Sequence, residues 1–404
     1  MLCNHILLMG FEEVTMRQPE QIALLKRLLH FVETKTTCMA ETPYRNPVTT
    51  YTDPARLLRE QRELFRREPL LIGFASELAR PGDYKTDDYS GVPILVVRGR
   101  DGRLPAFLNV YRHRGAKVVA GCGSARVFSC PYHAWTYDLT GQVTHIPEER
   151  CFPDVKAERP SLAPLPLCEK HGLVWVIATP AADGATSFDV DAWLGAELAD
   201  ELEAYNFAVW PHYETRVLHK KMNWKLAIDT FHEGYHIGAL HRKTIAPLFV
   251  NAVDFKPFGP HLRMSIARSK IIRLKDKPES EWDAMWNTAL VYTMLPNAVL
   301  VMNGDHAELW RIFPEENRVD RSVVALSFYI PKPVASDEEK RHWDANVDLT
   351  MLFVEQEDFA VGESIQAGFL SGAQSHTVYG QNEPALIHFH RSLHQMMGPS
   401  AHSL

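Results

Sequence analysis

Two segments of candidate metal ligands, Tyr111-Arg-His113 and Cys130-Pro-Tyr-His133, limit the folds open to this chain. Each supplies a histidine, and the second supplies a cysteine as well. Mixed imidazole and thiolate donors suit iron or zinc. The surrounding region, from Leu70 to about Thr179, alternates short apolar stretches with glycine, proline and aspartate turns. This pattern predicts a small antiparallel β domain that holds two ligand-bearing loops side by side.

The composition excludes several classes of function. With 404 residues, the chain is long enough for two domains with substantial cores. Its formal charge of −7 provides no basic surface for nucleic acid or an anionic membrane, and apolar runs such as residues 172–178 are too short to cross a bilayer. Six scattered cysteines are too few for a disulfide framework, and the N-terminus lacks the basic start of a signal peptide. We expect a cytoplasmic protein that binds neither nucleic acid nor a membrane.

Apolar periodicity predicts helices and strands along the whole chain. The predicted helices cover about residues 19–33, 53–67, 190–205, a long segment after Met222, and 338–366. Predicted strands cover about residues 70–74, 94–97, 106–110, 127–129, 173–177, 209–219, 263–273, 298–303 and 323–330. Residues 180–186 are predicted to form a linker between two domains.

A second group of candidate ligands lies about a hundred residues beyond the first, and it has two interpretations. His232-Glu-Gly-Tyr-His236 has the H-E-x-x-H spacing of zinc hydrolases, in which two imidazoles share one helix face and the glutamate is a general base. The extended zinc motif also needs glycine at 239 and histidine at 242, and this chain has neither. The second interpretation takes Glu233-x-Tyr-His236-x4-His241 as the motif, and its ligand set follows from resemblance to a known family.

Both motifs resemble those of the Rieske non-haem iron ring-hydroxylating oxygenases, specifically their α (catalytic) subunits. Residues 109–116 and 128–137 are similar to the Rieske pattern Cys-x-His followed by Cys-x-x-His. Asn223-Trp-Lys225 and Glu233-x-Tyr-His236-x4-His241 resemble the catalytic motif, and residues 355–368 resemble the family's late acidic helix. The resemblance extends from about Asp53 to Gly368.

The resemblance implies an α+β fold. An N-terminal Rieske-type antiparallel β domain is followed by a catalytic domain of antiparallel sheet with packed helices, a helix-grip-like arrangement. The expected division is an N-terminal arm and helix over residues 1–50, a Rieske [2Fe–2S]-type domain over 51–180 and a mononuclear non-haem iron domain over 181–404.

At the first site, the resemblance places His113, Cys130 and His133 on cluster-ligand positions, and it places Tyr111 where the family has its first cysteine. A phenolate is a hard oxygen donor and a poor substitute for a thiolate. Cys122, eleven residues further on, is the other nearby cysteine and an alternative fourth ligand. We therefore expect a [2Fe–2S] Rieske cluster that is absent or labile unless Cys122 completes it.

At the second site, the resemblance implies that His236, His241 and Asp358 hold a mononuclear Fe(II), with Glu357 as the second choice for the carboxylate. Glu233 occupies the position of the acid that carries electrons from one subunit's cluster to the neighbouring subunit's iron. Members acting on quaternary ammonium compounds carry glutamate at this position.

The implied function is that of an oxidoreductase, a Rieske mono- or dioxygenase. Electrons from NAD(P)H pass through a reductase, with or without a ferredoxin, and O₂ hydroxylates or demethylates a small aromatic or quaternary-ammonium-like substrate. The expected assembly is a homotrimer.

Two alternatives stay open. A cluster-deficient, non-catalytic homologue is supported by Tyr111. A zinc hydrolase would use His232, Glu233 and His236, and it leaves the Cys130–His133 motif unexplained. In the oxygenase interpretation, His232 is a neighbour of the ligands and not itself a ligand.

Overall fold

The computed structural model describes residues 16–398, which form an α+β fold. Its helices are α1 (Gln18–Thr34), α2 (Thr49–Thr52), α3 (Pro54–Glu60), α4 (Pro153–Glu158), α5 (Val190–Leu194), α6 (Ala196–Glu203), α7 (Trp224–Asp229), α8 (Ile237–Leu240), α9 (Ala284–Asn287), α10 (Asp337–Phe353), α11 (Phe359–Leu370) and α12 (Pro384–Met397). Its strands are β1 (Tyr44–Pro47), β2 (Leu70–Phe74), β3 (Asp83–Asp87), β4 (Ile94–Val97), β5 (Ala106–Leu108), β6 (Cys122–Ser124), β7 (Phe128–Ser129), β8 (Thr136–Tyr137), β9 (Val143–His145), β10 (Pro164–Leu165), β11 (Leu167–Lys170), β12 (Leu173–Val176), β13 (His212–Lys220), β14 (Phe249–Phe258), β15 (His261–Arg268), β16 (Thr288–Met294), β17 (Ala298–Asn303), β18 (His306–Pro314), β19 (Ser322–Tyr329) and β20 (His376–Tyr379).

Strands β2 to β12 form three small antiparallel sheets, in the orders β10-β5-β4-β3-β6, β11-β12-β2 and β7-β8-β9. Phe107, Phe128, Trp135 and Tyr137 belong to one buried cluster that includes residues of the first and third sheets. Both ligand-bearing loops lie against this cluster, because one follows β5 and the other joins β7 to β8. The fold therefore brings the two predicted ligand pairs together.

A seven-stranded antiparallel sheet, in the order β13-β19-β18-β17-β16-β15-β14, forms the centre of the second half. Successive residues of a strand point to opposite faces, so Val291 and Leu290 enter different cores. The core on one face includes residues of α7, α11 and α12, and the core on the other includes residues of α1, α6 and α9. Helices thus cover both faces of the sheet.

Buried polar contacts join the β sheets to the seven-stranded sheet. The side chain of Asn297 donates to Leu71 O at 3.1 Å and accepts from Leu71 N at 3.2 Å. The guanidinium of Arg311, on β18, donates to Asp87 of β3, and both side chains are almost fully buried. Since a buried charge is costly without its partner, these contacts fix how the two parts pack.

The structure confirms most predicted elements and corrects others. The predicted helix over residues 190–205 is two helices, because Gly195 adopts a positive φ of 78° between them. The helix predicted after Met222 is short, since α7 ends at Asp229 and turns follow to residue 236. The strand predicted over 263–273 ends at Arg268.

The division into residues 1–50, 51–180 and 181–404 stays a prediction, and residues 1–15 and 399–404 of it lie outside the described part. Within the described part, no helix is long and apolar enough to cross a membrane.

Candidate metal centres

His236, His241 and Asp358 come together although they lie on separate elements. Asn223 caps α7 by accepting from Lys225 N at 3.1 Å, and the turns after α7 lead to His236 and the short α8. Asp358 ends a π-helical turn between α10 and α11. The Nε2 atoms of His236 and His241 lie 3.4 and 3.0 Å from Asp358 Oδ1. Among the described residues, these three are the one set of His, Cys, Asp or Glu side chains whose ligand atoms all lie within 4.8 Å of one another.

Two further carboxylates orient the histidines. Glu357 Oε2 lies 2.7 Å from His241 Nδ1, and it accepts from the Thr244 hydroxyl at 2.7 Å. Glu233 bonds His236 Nδ1 and also accepts from the His236 backbone N–H. Because the Nδ1 atom of each ring is engaged by a carboxylate, the two Nε2 atoms face one common position beside Asp358. Carboxylate partners of this kind fix the tautomer and orientation of metal-bound histidines.

The charges of the centre favour a divalent cation. Burial alone would lower the pKa of His236, but hydrogen bonds to Asp358 and Glu233 raise that pKa to about 10. The pKa of His241 is raised as well. Burial alone would lower this pKa, but the hydrogen bond and the charge of Asp358 outweigh that effect. Three carboxylates therefore surround two imidazoles, an excess of negative charge that a metal ion would neutralise. The donor set of two imidazoles and one carboxylate fits a mononuclear ferrous ion.

Glu357 does not face the metal position, because its carboxylate bonds Nδ1 of His241, the ring nitrogen that points away from that position. We expect Glu357→Gln to weaken iron binding about 10- to 100-fold, since it removes the charge that orients His241. Iron affinity measured by competition with a chelator tests this expectation. Glu355→Gln is the matched control, because Glu355 lies on the same turn and pairs with Lys220 instead. Equal affinities in the two variants would contradict an orienting role for Glu357.

His232 lies away from this group, which counts against the zinc-hydrolase alternative. Residues 230–236 form turns and not a helix, so the H-E-x-x-H spacing does not place its histidines on one helix face. The buried His232 ring packs edge-on against Phe389, and its Nε2 lies 2.7 Å from Thr293 Oγ1. His232 is therefore not part of the metal-binding set.

Buried histidines predict acid sensitivity. Burial lowers the pKa of His232 to about 3 and that of His261 to about 4. The neutral His261 ring has both nitrogens satisfied, with Nδ1 accepting from Leu295 N at 3.1 Å and Nε2 donating to Trp193 O at 3.0 Å. An unfolded histidine titrates near pH ~6.5, so below that pH the unfolded state binds more protons than the folded state.

The contribution of these histidines to the free energy of unfolding should therefore be constant above pH ~6.5. It should fall by about 2 kcal/mol per histidine between that pH and pH ~5. Urea denaturation at several pH values measures this loss. His232→Leu is expected to remove one histidine's share of the pH dependence, whereas His30→Gln, at an exposed position, should leave it unchanged. The same pH dependence in His232→Leu as in the wild type would contradict the assignment.

The first predicted site has a tyrosine hydroxyl at its centre. Tyr111 Oη lies 2.6 Å from His113 Nδ1 and 2.7 Å from His133 Nδ1. The Tyr111 ring is buried, whereas His113 is exposed and His133 is half-buried. Burial raises the pKa of Tyr111 to about 12, so the phenol is neutral near pH ~7.

The cysteines are placed unequally around this site. Cys130 is buried in the same cluster as Tyr111, and its backbone N–H donates to Trp135 O at 2.9 Å. Cys122 is exposed on β6, where it pairs with Lys85 of β3. The structure therefore gathers Tyr111, His113, Cys130 and His133, and it places Cys122 on a neighbouring strand.

Sequence reasoning missed Thr244 and the orienting role of Glu357. Thr244 is a single polar residue in a turn, and no spacing rule marks it. The adjacency of Glu357 to Asp358 was the one available signal, and it did not show which acid faces the metal.

Comparison with family models adds an independent observation. Residues 68–161 match the model of the Rieske [2Fe-2S] domain, and residues 207–399 match that of the ring hydroxylating alpha subunit (catalytic domain). The two matches occur in the predicted order and together cover more than half of the chain. The chain belongs to the Rieske ring-hydroxylating oxygenase α-subunit family. This confirms the resemblance, and with it the assignment to the oxidoreductases.

Relatives of this oxygenase subunit include enzymes with named substrates. The carnitine monooxygenase oxygenase subunit of Escherichia coli K12 is 26% identical over 366 residues, which cover 87% of this chain and 93% of that protein. Chloroplastic choline monooxygenase of Beta vulgaris is 25% identical over 354 residues, covering 87% of this chain and 76% of that protein. The biphenyl 2,3-dioxygenase subunit alpha of Rhodococcus jostii RHA1 is 32% identical over 220 residues, or 52% of this chain and 46% of that protein.

Solved structures share the fold. The quaternary ammonium Rieske monooxygenase CntA in complex with L-carnitine superposes with a TM-score of 0.74 at 21% identity, covering 89% of this chain and 97% of that chain. Naphthalene 1,2-dioxygenase from Rhodococcus sp. bound to indole gives a TM-score of 0.68 at 20% identity, covering 94% and 98%. These likenesses confirm the expected architecture of a Rieske domain followed by a sheet-and-helix catalytic domain.

Family membership implies two cofactors, a Rieske [2Fe–2S] cluster and a mononuclear iron, with electrons supplied through a reductase. The residues of this chain fit the two cofactors differently. His236, His241 and Asp358 provide the donor set of the iron site. Tyr111 disagrees with the cluster site, because a thiolate position holds a phenol whose oxygen lies between the two imidazoles.

Proposed function

We propose that this chain is the iron-bearing component of a Rieske-type oxygenase, with iron held by His236, His241 and Asp358. The observation that carries the proposal is the convergence of the three side chains around one position, with both histidines oriented by carboxylates. A ferrous ion held there would supply the redox chemistry that activates O₂. The protein's contribution is to leave coordination positions open and to fix the ligands.

The role proposed for Glu233 is to link the iron ligand His236 to a neighbouring subunit. Its carboxylate bonds His236, and the adjacent Tyr235 is 70% exposed. A partner subunit can therefore approach this loop. By this proposal the assembly is a homotrimer that accepts electrons from NAD(P)H through a reductase, with or without a ferredoxin.

The favoured substrate is a small quaternary ammonium compound, which the enzyme would hydroxylate or demethylate. A cavity beside α8 is lined by Ile237, Phe249, Val253 and Ile266, with Asn251 as a polar group. Methylated ammonium groups present an apolar surface to such side chains. The named substrates of the relatives, carnitine and choline, support this class, and a small aromatic molecule is the second choice.

A cytoplasmic location completes the proposal. The five cysteines within residues 16–398 are all free, as expected in a reducing compartment.

The test supplies hydrogen peroxide, which provides both the oxygen atom and the electrons. One labelled peroxide oxygen would enter a C–H bond of the substrate and the other would leave as water, so no reductase or cluster is needed. Chain reconstituted anaerobically with Fe(II) is mixed with ¹⁸O-labelled peroxide and a panel of choline, carnitine, indole and naphthalene. We expect labelled product or formaldehyde from a trimethylammonium substrate, and none from Zn(II)-loaded chain.

A second function, a non-catalytic subunit without a cluster, is favoured by Tyr111. The same experiment separates the two, because a non-catalytic subunit would give no labelled product with Fe(II) at any substrate. Product formation by the Zn(II)-loaded chain would contradict both functions.

A further inference from the structure

We propose that Tyr111 closes the cluster site, so that the Rieske domain of this chain folds and packs without a [2Fe–2S] cluster. The proposal rests on the family membership of the chain and on Tyr111, and it does not depend on iron binding at His236, His241 and Asp358.

The position of the phenol oxygen is the first observation. Tyr111 Oη lies 2.6 and 2.7 Å from the Nδ1 atoms of His113 and His133, so both inward nitrogens point at this oxygen. Metal–imidazole bonds are about 2.0–2.1 Å long. An iron bound to both nitrogens would therefore overlap the phenol oxygen.

Hydrogen-bond chemistry is the second observation. A phenol donates one hydrogen and accepts others, and a neutral imidazole has one donor and one acceptor nitrogen. Tyr111 can donate to one Nδ1 while the Nδ1–H of the other histidine donates to it. All three groups are then satisfied while uncharged, and this leaves no inward nitrogen lone pair free for a metal.

Packing is the third observation. The Tyr111 ring is 1% exposed and meets the Trp135 ring edge-on at 5.7 Å between centroids. The His113 ring stacks on Trp135 at 5.2 Å with an interplanar angle of 7°. The backbone of Tyr111 is also held, because its N–H donates to Ala116 O at 2.9 Å. The aromatic ring thus fills the space beneath the histidines in a fixed position.

No described cysteine replaces the missing thiolate. Of the five cysteines within residues 16–398, Cys130 is the one that belongs to the buried cluster around Tyr111. Cys122 and Cys151 are exposed, and Cys122 is held by strand pairing with Lys85. Among the described residues, His236, His241 and Asp358 form the group placed to share one metal ion, and Cys130, His113 and His133 do not form another.

The experiment compares the full-length wild type with Tyr111→Cys and Tyr111→Ser after the same anaerobic reconstitution with iron and sulfide. Tyr111→Cys removes the ring and supplies a thiolate, whereas Tyr111→Ser removes the ring and supplies none. Acid-labile sulfide, visible absorption and EPR after dithionite reduction are measured, with CntA reconstituted in parallel as the positive control. Loosely bound iron is then removed from the wild-type chain. The iron that it retains reports binding at His236, His241 and Asp358 separately.

The expected result is no labile sulfide in the wild type and in Tyr111→Ser, and about two sulfides per chain with a Rieske spectrum in Tyr111→Cys. Adding Cys130→Ser to Tyr111→Cys should remove this gain. A Rieske spectrum in the wild type would overturn the proposal. Folded Tyr111→Cys without a cluster would also overturn it, because Tyr111 would then not be the residue that closes the site. Failure of iron binding at Asp358 would instead count only against the proposed function.

Discussion

Asp358→Ala is expected to lose mononuclear iron and to reduce peroxide-driven product formation at least about 100-fold. Removing a residue that merely orients a ligand already costs about 10- to 100-fold in metal affinity or activity. Asp358 is the carboxylate that faces both Nε2 atoms, at 3.4 and 3.0 Å. Its loss leaves two imidazoles and no anionic donor facing the open position. Iron content by metal analysis and product yield with labelled peroxide measure the two effects.

Asp348→Ala is the matched control for this variant. Asp348 lies ten residues earlier in the same helical region and is exposed, so its removal changes the net charge equally without touching the site. Iron content and product yield should stay at the wild-type level in the control. Unchanged iron in Asp358→Ala would show that the metal lies elsewhere.

Lys225→Met is expected to lower the free energy of unfolding by about 3 kcal/mol, because it leaves a buried carboxylate without one of its cations. Glu60 is fully buried and accepts from Lys225 Nζ at 2.6 Å, from Trp224 Nε1 at 2.9 Å and from Arg56 Nε at 2.8 Å. The Asn223-Trp224-Lys225 motif is therefore a structural device, since it anchors α7 to α3 ahead of the metal ligands. Urea denaturation at constant pH measures the loss.

A second variant shows whether the loss comes from the unpaired acid. Adding Glu60→Gln to Lys225→Met should recover part of the stability, because the uncompensated charge is then gone. Lys340→Met is the control, since Lys340 is exposed and pairs with Asp344 four residues on, a contact worth at most ~1 kcal/mol. Equal losses in Lys225→Met and Lys340→Met would contradict the account of Glu60.

The sequence predicted the ligand positions better than the segments that carry them. The resemblance to the family's motifs points to His236, His241 and Asp358, and the structure brings these side chains together, although their binding of iron stays a prediction. The motif is expected to lie on a long helix after Met222, yet α7 ends at Asp229 and turns follow. Glu233 bonds the His236 ring and the backbone N–H groups of residues 235 and 236, contacts between near neighbours that helical periodicity does not reveal.

The seven-stranded sheet shows a different limit of sequence patterns. No strand is predicted over β16 or β18, although every residue in both is buried. β16 is an almost continuous apolar run, whereas β18 buries the charged residues Glu308 and Arg311. A strand covered on both faces gives an almost continuous apolar run, which periodicity does not separate from a buried helix. Strands β4 and β12 were found because turn residues bound them closely on both sides.

Tyr111 shows what tertiary structure adds at a recognised site. The sequence established that a thiolate position had changed, but not where the phenol would point. The structure shows that the phenol oxygen lies between two imidazoles, so Tyr111 occupies the space in which the cluster would be bound.

Diffraction data collected at the iron absorption edge, from crystals of the reconstituted wild-type chain, would locate the iron at both sites in one experiment. We expect one strong anomalous peak between His236 Nε2, His241 Nε2 and Asp358 Oδ1, and no peak between His113 and His133. Two iron peaks beside His113 and His133, or no peak at Asp358, would contradict the assignment of the two sites.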